Sequence, residues 1–295
     1  MSDIKTPKIL LSRRRFLRNL TLSSSAGCAA AFAYAWRIEP TWVETVHVPM
    51  SLASLGSAFQ GYRLVQVSDL HAGPWVPQDY LECCIDHVSA LQPDLVVVTG
   101  DLVSGIPEKQ AHAATALLAR IQASDGVLVV LGNHDYACCM RGHFSEPAAD
   151  RVARTLSAPA QVRVLRNERH TINRGDSTLR VVGIDEYWTN RYDPDAAFRS
   201  VPAGEPCIAL VHNPDTFLEL LDRPAQWFLA GHTHGGQVTI PGLGPPRLPV
   251  RHREFASGHH VHGDRNLYVN RGLGWVKRIR FGARPEITVF TLQTA

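Results

Sequence analysis

Apolar residues in this chain fall in short runs, and each run ends at a side chain with chemistry. Val127-Leu128-Val129-Val130-Leu131 is followed by Gly132-Asn133-His134-Asp135. A valine-rich run of this length, closed by glycine, predicts a strand buried on both faces, as in a parallel sheet. Leu64-Val65-Gln66-Val67 leads in the same way into Ser68-Asp69-Leu70-His71, and Asp94-Leu95-Val96-Val97-Val98 into Thr99-Gly100-Asp101. Further on, Cys207-Ile208-Ala209-Leu210-Val211 leads into His212-Asn213-Pro214, and Trp227-Phe228-Leu229-Ala230 into Gly231-His232-Thr233-His234. Open α/β sheets place their sites beyond the carboxyl ends of strands. Five tips in order, each carrying a carboxylate, an amide or an imidazole, predict that the tips converge.

Between the runs the period changes. Pro77 to Leu91 has Leu81, Cys84, Ile85, Val88 and Leu91 at helical spacing, and Pro93 stops it. Lys109 to Gln122 and Ala148 to Leu156 predict two more helices. Strand, helix, strand in this rhythm gives right-handed βαβ units. After residue 160 short strands dominate: Val162–Leu165, Leu179–Ile184, Gln237–Ile240, Leu267–Asn270 and Glu286–Phe290. The fold class is α/β, a four-layer αββα sandwich of two mixed β-sheets flanked by helices. Val43 to Val48 alternates, as a half-buried strand does, inside a connecting segment over 37–60. Gly242 to Pro249 is proline-rich and reads as a loop. His259, His260 and His262, near Asp264, read as a solvated polar loop rather than a metal tract.

Composition bounds the rest. Of 295 residues, 45% are hydrophobic and 19% charged, which supports a sizeable core. A net charge of +3 is too slight to argue for nucleic acid binding, and it does not oppose an anionic phosphate. The six cysteines, Cys28, Cys83, Cys84, Cys138, Cys139 and Cys207, lack the spacing of a disulfide framework, and with no second C-x-x-C element Cys138 and Cys139 read as buried free thiols; the sequence leaves disulfides undecided. Asp185-Glu186, at another strand end, is read as a minor candidate for a carboxylate pair. Arg271 is either a phosphate clamp or a surface arginine.

The ordered pieces Asp69-Leu70-His71, Gly100-Asp101, Gly132-Asn133-His134-Asp135, His212 and Gly231-His232-Thr233-His234 resemble the calcineurin-like metallophosphoesterases from about Gly61 to the C-terminus. Val211-His212-Asn213-Pro214-Asp215 and Gly231 to Gln237 resemble the exported or membrane-anchored bacterial branch. The resemblance implies a sandwich fold and a catalytic domain over 61–295. It implies a dinuclear, metal-dependent phosphoesterase acting on phosphodiesters or phosphomonoesters. Two divalent ions, Mn, Zn or Fe, would be held by Asp69, His71, Asp101 and His234 and by Asp101, Asn133, His212 and His232. A metal-bridging hydroxide would attack phosphorus. His134 would assist the leaving group. Relatives carry an aspartate that orients this histidine where Ser104 stands here. The alternatives are hydrolysis of a lipid-linked pyrophosphate such as UDP-2,3-diacylglucosamine, with Trp75, Trp188 and Trp275 as acyl-site candidates, and a non-catalytic metal-binding protein.

The first 36 residues read as targeting rather than fold. Ser12-Arg13-Arg14-Arg15-Phe16-Leu17 matches the twin-arginine pattern, a mildly apolar stretch follows, and Ala33-Tyr34-Ala35 offers a cleavage site. Partners implied are the twin-arginine export machinery, a phosphate-ester substrate and, where the segment stays as an anchor, a membrane. The expected location is the periplasm or the outer face of the cytoplasmic membrane.

Overall fold

A computed structural model describes residues 13–105, 107–138 and 144–295. The start of the twin-arginine pattern, Ser12, and Cys139 therefore lie outside the described residues. Two six-stranded mixed sheets pack face to face.

The first sheet has the order β1 (Glu44–Leu52), β12 (Glu286–Thr294), β2 (Arg63–Val67), β3 (Leu95–Thr99), β4 (Val127–Val130), β5 (Val162–Val164). β2 to β5 run parallel, and β12 enters antiparallel to β2. The strand expected within residues 37–60 is β1, paired along its whole length with β12, so that segment belongs to the sheet.

The second sheet has the order β10 (Gly258–His262), β11 (Arg265–Val269), β9 (Trp227–Ala230), β8 (Cys207–Leu210), β7 (Ser177–Gly183), β6 (Glu168–Arg174). Its four central strands are parallel, and both edges are antiparallel.

Two-residue periodicity explains why the strands read as unbroken apolar runs. Leu95, Val97, Leu128 and Val130 face the inter-sheet core, where they meet Val181, Ile208, Leu210 and Leu229. Their neighbours Val96, Val98, Val127 and Val129 face the other way, onto α2 (Gln78–Ala90), α3 (Pro107–Ala119) and α4 (Glu146–Leu156). A strand covered on both faces has no polar side to show. The outer face of the second sheet is closed by lighter pieces. Phe217, on a 3-10 turn over Pro214–Glu219, packs on Phe228, and Phe255, on another over Arg253–Ala256, packs on Phe217.

Two sequence expectations fail here. Gln237–Ile240 is not a strand: it makes isolated bridges from Val238 to Phe281 and from Ile240 to Gly244, because Gly235 and Gly236, both at positive φ, turn the chain. His259, His260 and His262 lie on β10 rather than in a loop. His259 stacks on Trp227 with ring centroids 4.8 Å apart, so the ring has an apolar partner and a ladder position. Cys84, Cys138 and Cys207 are buried, and Cys28 and Cys83 are exposed.

The N-terminal segment forms one helix, α1 (Arg13–Arg37), exposed along most of its length. No helix among the described residues is long and apolar enough to cross a membrane. Its last turn joins the body: Ala35 is buried, and its carbonyl accepts the Arg280 N–H at 2.9 Å.

Candidate metal centre

The five strand tips meet at one end of the sandwich. Asp69 and His71 follow β2, Asp101 follows β3, Asn133 and His134 follow β4, His212 follows β8, and His232 and His234 follow β9. All eight are buried. Asp69, His71 and His234 bring one ligand atom each within 4.8 Å of one another, and so do Asp101, His212 and His232. His71, Asp101 and His134 form a third such group, so the His134 ring lies beside the pair it was expected to serve.

Asp101 joins the groups through a single oxygen. Its Oδ2 is 3.3 Å from His212 Nε2 and 3.7 Å from His71 Nε2. Its Oδ1 instead accepts the backbone N–H of His134 at 2.8 Å. That oxygen fixes the β4 tip to Asp101.

Several contacts make sense only with a cation present. His71 Nε2 and His234 Nε2 lie 3.1 Å apart, as do His232 Nδ1 and His212 Nε2. His212 Nδ1 faces the Thr99 carbonyl at 2.7 Å and must donate there, which turns Nε2 inward toward Asp101; burial disfavours the charged ring, but the Asp101 carboxylate outweighs it and holds the imidazole well above its usual range. Asp69 Oδ1 and Asn133 Oδ1 are buried with no hydrogen-bond partner. Asn133 holds its amide the right way round, because Nδ2 donates to the Cys138 carbonyl at 2.8 Å. Buried acceptors without donors cost free energy unless something positive answers them. Burial pushes the His71 and His232 imidazoles down to about 3, so both are neutral lone-pair donors at neutral pH. Burial pushes Asp69 up to about 7, with His212 opposing the rise and Asp101 adding to it. At Asp101 burial also favours the neutral form, but the His212, His134 and His71 imidazoles outweigh it and hold the carboxyl well below its usual range. Imidazole nitrogens, carboxylates and one amide oxygen fit a borderline divalent ion.

The backbone is bent to deliver these groups. Asp69 (φ 51°), His71 (48°), Asp101 (54°), His232 (71°) and His234 (51°) are all left-handed although none is glycine. Such residues persist only where their surroundings over-determine them, and they concentrate at functional sites. Glycine is required where tips cross: a β-carbon on Gly132 would collide with Asp101 Oδ1, and one on Gly231 with Ser68 Oγ. A β-carbon on Gly236 would collide with Pro245.

The side chains flanking the candidate ligands have partners of their own. Ser104 bonds His71, not His134: its Oγ lies 2.7 Å from His71 Nδ1. Asp135 does not orient His134 either. Its carboxylate accepts the N–H groups of Gly132, Leu102 and Val103, tying the β4 tip to the β3 tip. His134 Nδ1 has no partner. Arg271 is neither a phosphate clamp nor a free surface cation, because Glu286 and Glu44 hold it at 2.5 and 2.8 Å. Asp185 pairs with Arg166 at 2.7 Å, which removes it from any carboxylate dyad.

Three further residues stand at the centre: the sequence suggests other roles for Glu186 and Trp188 and does not single out Arg280. Glu186 is buried with an unpartnered Oε2, and burial, opposed by His212, pushes it up to about 7. Arg280 is wholly buried and donates to the carbonyls of Gly274, Arg271, Gly272 and Ala283, pinning the loop that wraps Asp69. Trp188 sets its ring against His232 with centroids 4.9 Å apart. Of the other two tryptophans weighed for an acyl site, Trp275 is core and Trp75 is exposed.

The profile of the calcineurin-like phosphoesterases matches residues 62–236, more than half of the chain. The chain belongs to this family. Among relatives, YkuE, an uncharacterized metallophosphoesterase of Bacillus subtilis, is 32% identical over 96% of this chain and 98% of its own length. The phosphodiesterase YaeI of Escherichia coli is 29% identical over 96% and 100%. The UDP-2,3-diacylglucosamine pyrophosphatase LpxG of Chlamydia trachomatis is 29% identical over 88% and 92%. The protein is a metal-dependent phosphoester hydrolase.

Proposed function

We propose that the protein hydrolyses phosphodiesters with two divalent ions, outside the cytoplasm. The observation that carries the reading is the set of buried, donorless ligand atoms that converge from the strand tips. Asp69, His71, Asp101 and His234 would hold one ion, and Asp101, Asn133, His212 and His232 the other, so Asp101 would serve both. Mn, Zn or Fe suits this donor set. Bound there, the ions supply Lewis acidity toward a phosphoryl oxygen and lower the pKa of water.

The chain's own residues do the rest. The Thr99 carbonyl and Ser104 hold the rings of His212 and His71 in the tautomers that aim Nε2 inward. Asp135 fixes the relative position of two tips. His134 lines the cleft above the ligands and is placed to protonate the departing oxygen or to steady charge on it. The test is turnover of a chromogenic phosphodiester and of a monoester by purified protein under Mn, Zn and Fe. Absence of turnover under every ion would refute the reading.

A second reading is hydrolysis of a lipid-linked pyrophosphate. It is favoured by the likeness to LpxG, and release of UMP from UDP-2,3-diacylglucosamine tests it. Two bound ions with no turnover of any phosphate would favour a non-catalytic metal protein. Export by the twin-arginine route is supported by Arg13-Arg14-Arg15-Phe16-Leu17 at the head of α1. The exposed Phe16, Leu17, Leu20 and Phe32 of that helix would serve association with the membrane surface. Replacing Arg13 and Arg14 together by Lys should leave active protein inside the cell; unchanged export would refute the signal.

A further inference from the structure

A sixth strand tip reaches the centre and carries no candidate ligand. β7 lies beside β8 in the second sheet and runs parallel to it, with Gly183 opposite Leu210 and the Ile184 N–H donating to the Leu210 carbonyl at 3.0 Å. Its tip therefore ends beside the His212 tip, and the residues it delivers there are Asp185 and Glu186. Asp185 holds the tip in place. It accepts Arg166 Nε–H at 2.7 Å and the Tyr136 hydroxyl at 2.8 Å, which ties it to the β4 tip, and its own N–H donates to Asn167 Oδ1 at 3.0 Å.

Glu186 is built into the same turn. Its N–H donates to Asp185 Oδ1 at 2.9 Å, and its carbonyl accepts the Thr189 hydroxyl at 2.8 Å. Its Oε1 accepts the Trp188 N–H at 3.2 Å, and the Trp188 ring stands edge-on to the His232 ring with centroids 4.9 Å apart. The residue is only 1% exposed, and Oε2 is buried with no donor. After burial itself, His212 and Asp101 act most strongly on the charge of this carboxylate. A carboxylate oxygen kept from both water and donors is costly unless a cation answers it.

The two groups of candidate ligands are unequal in charge. Asp69 belongs to one group alone. The group of Asp101, Asn133, His212 and His232 has no carboxylate of its own, because Asp101 serves both. Glu186 is in none of the sets of ligand atoms that lie within 4.8 Å of one another among the described residues, so it stands behind the ligands rather than among them.

We infer that Glu186 is the outer carboxylate of that second group, a positioning residue that balances the charge of the ion held by Asn133, His212 and His232 and, through Oε1, sets Trp188 against His232. The inference rests on the two-ion reading and adds to it a residue outside the ligand set. Removing the charge of Glu186 weakens the hold on that ion and leaves the ion at Asp69, His71 and His234 in place, because Asp69 already balances the latter.

The test is calorimetric titration of Mn into the chelator-stripped full chain, for the unaltered protein and for Glu186→Gln, Glu186→Asp and Ser104→Ala, the last of which takes the hydroxyl from His71 in the other group. Glu186→Gln keeps an oxygen for the Trp188 N–H and removes only the charge, so a merely structural role would leave both binding steps as they are. One of the two steps should weaken about 10–100-fold, and it should be the step that Ser104→Ala leaves unchanged. The Ser104→Ala, Glu186→Gln double variant should then weaken both. Glu186→Asp, which keeps the charge on a shorter stem, should retain most of the affinity, so the result does not hang on one variant. Two unchanged steps in Glu186→Gln, equal weakening of both, or weakening of the step that Ser104 supports would overturn the inference while leaving the two-ion reading intact. Absence of two binding steps in the unaltered protein would overturn both.

Discussion

Ser104→Ala removes one hydroxyl and tests how the centre is held. The hydroxyl is buried and lies 2.7 Å from His71 Nδ1, while its own backbone N–H donates to Gln110 Oε1 at 2.8 Å. With His71 Nδ1–H donating to Ser104, Nε2 is free as a lone pair facing His234 Nε2. Without the hydroxyl, the buried Nδ1–H loses its acceptor, and the ring gains freedom to turn or to take the other tautomer. Partners of this kind behind a ligating histidine are worth about 10–100-fold in metal affinity. That is about 1.4–2.7 kcal/mol, concentrated on the ion that His71 holds. The loss should fall on one binding step only, because His212 has its own acceptor, the Thr99 carbonyl, and does not touch Ser104.

Titration of Mn into chelator-stripped protein by calorimetry reads this directly. One of two steps should weaken about 10–100-fold, and Ser104→Thr, which keeps a hydroxyl, should restore most of it. Stability of the metal-free variant should change by only about 1 kcal/mol, the worth of one neutral hydrogen bond. Two unchanged binding steps, or equal weakening of both, would refute the reasoning, since either would mean that Ser104 does not act through His71.

Asp101→Asn removes the charge shared by both groups, so metal content measured by elemental analysis should fall together with activity. His134→Ala should keep its metal and lose about 10²–10⁴ in rate on an alkyl ester, with a smaller loss on a nitrophenyl ester whose leaving oxygen needs no proton. An equal loss on both esters would assign His134 to charge stabilisation. Asp135→Ala leaves the N–H groups of Gly132, Leu102 and Val103 buried without an acceptor, and should destabilise by about 3 kcal/mol or more in denaturant titration, with metal binding weakened as a consequence.

The centre was legible because its ligands sit at strand ends, and strand ends are where apolar runs stop. Each run carries its own evidence, so Asp69, Asp101, Asn133, His212 and His232 could be placed before any geometry was known. What Ser104 and Asp135 do was not legible. Both are judged by where a side chain points after a sharp turn, and sequence spacing does not carry that direction. Arg280 was hidden for another reason. It is a charge on an irregular segment whose burial is decided by strands far away in the chain, and long-range packing leaves no periodic trace. The histidines of β10 failed the other way. Polar residues on an edge strand look like a loop when the apolar partner, Trp227, comes from a different strand.

The left-handed backbone at five ligands has a thermodynamic consequence. Each such residue costs of the order of 1 kcal/mol or more, so together they cost about 5 kcal/mol, comparable to the whole net stability of many domains. Three packed apolar clusters and the ties through Asp135 and Arg280 oppose that cost. The same bends bring donorless acceptors together, so strain and unsatisfied polarity lie at one place and favour the same ligand. An ion that binds only the folded chain adds about 2.7 kcal/mol at a concentration 100 times its dissociation constant. The sandwich therefore positions the ligands before metal arrives, and metal offsets part of what that positioning costs. The tips must already be assembled when an ion is acquired, because no single segment of the unfolded chain holds more than a pair of the candidate ligands.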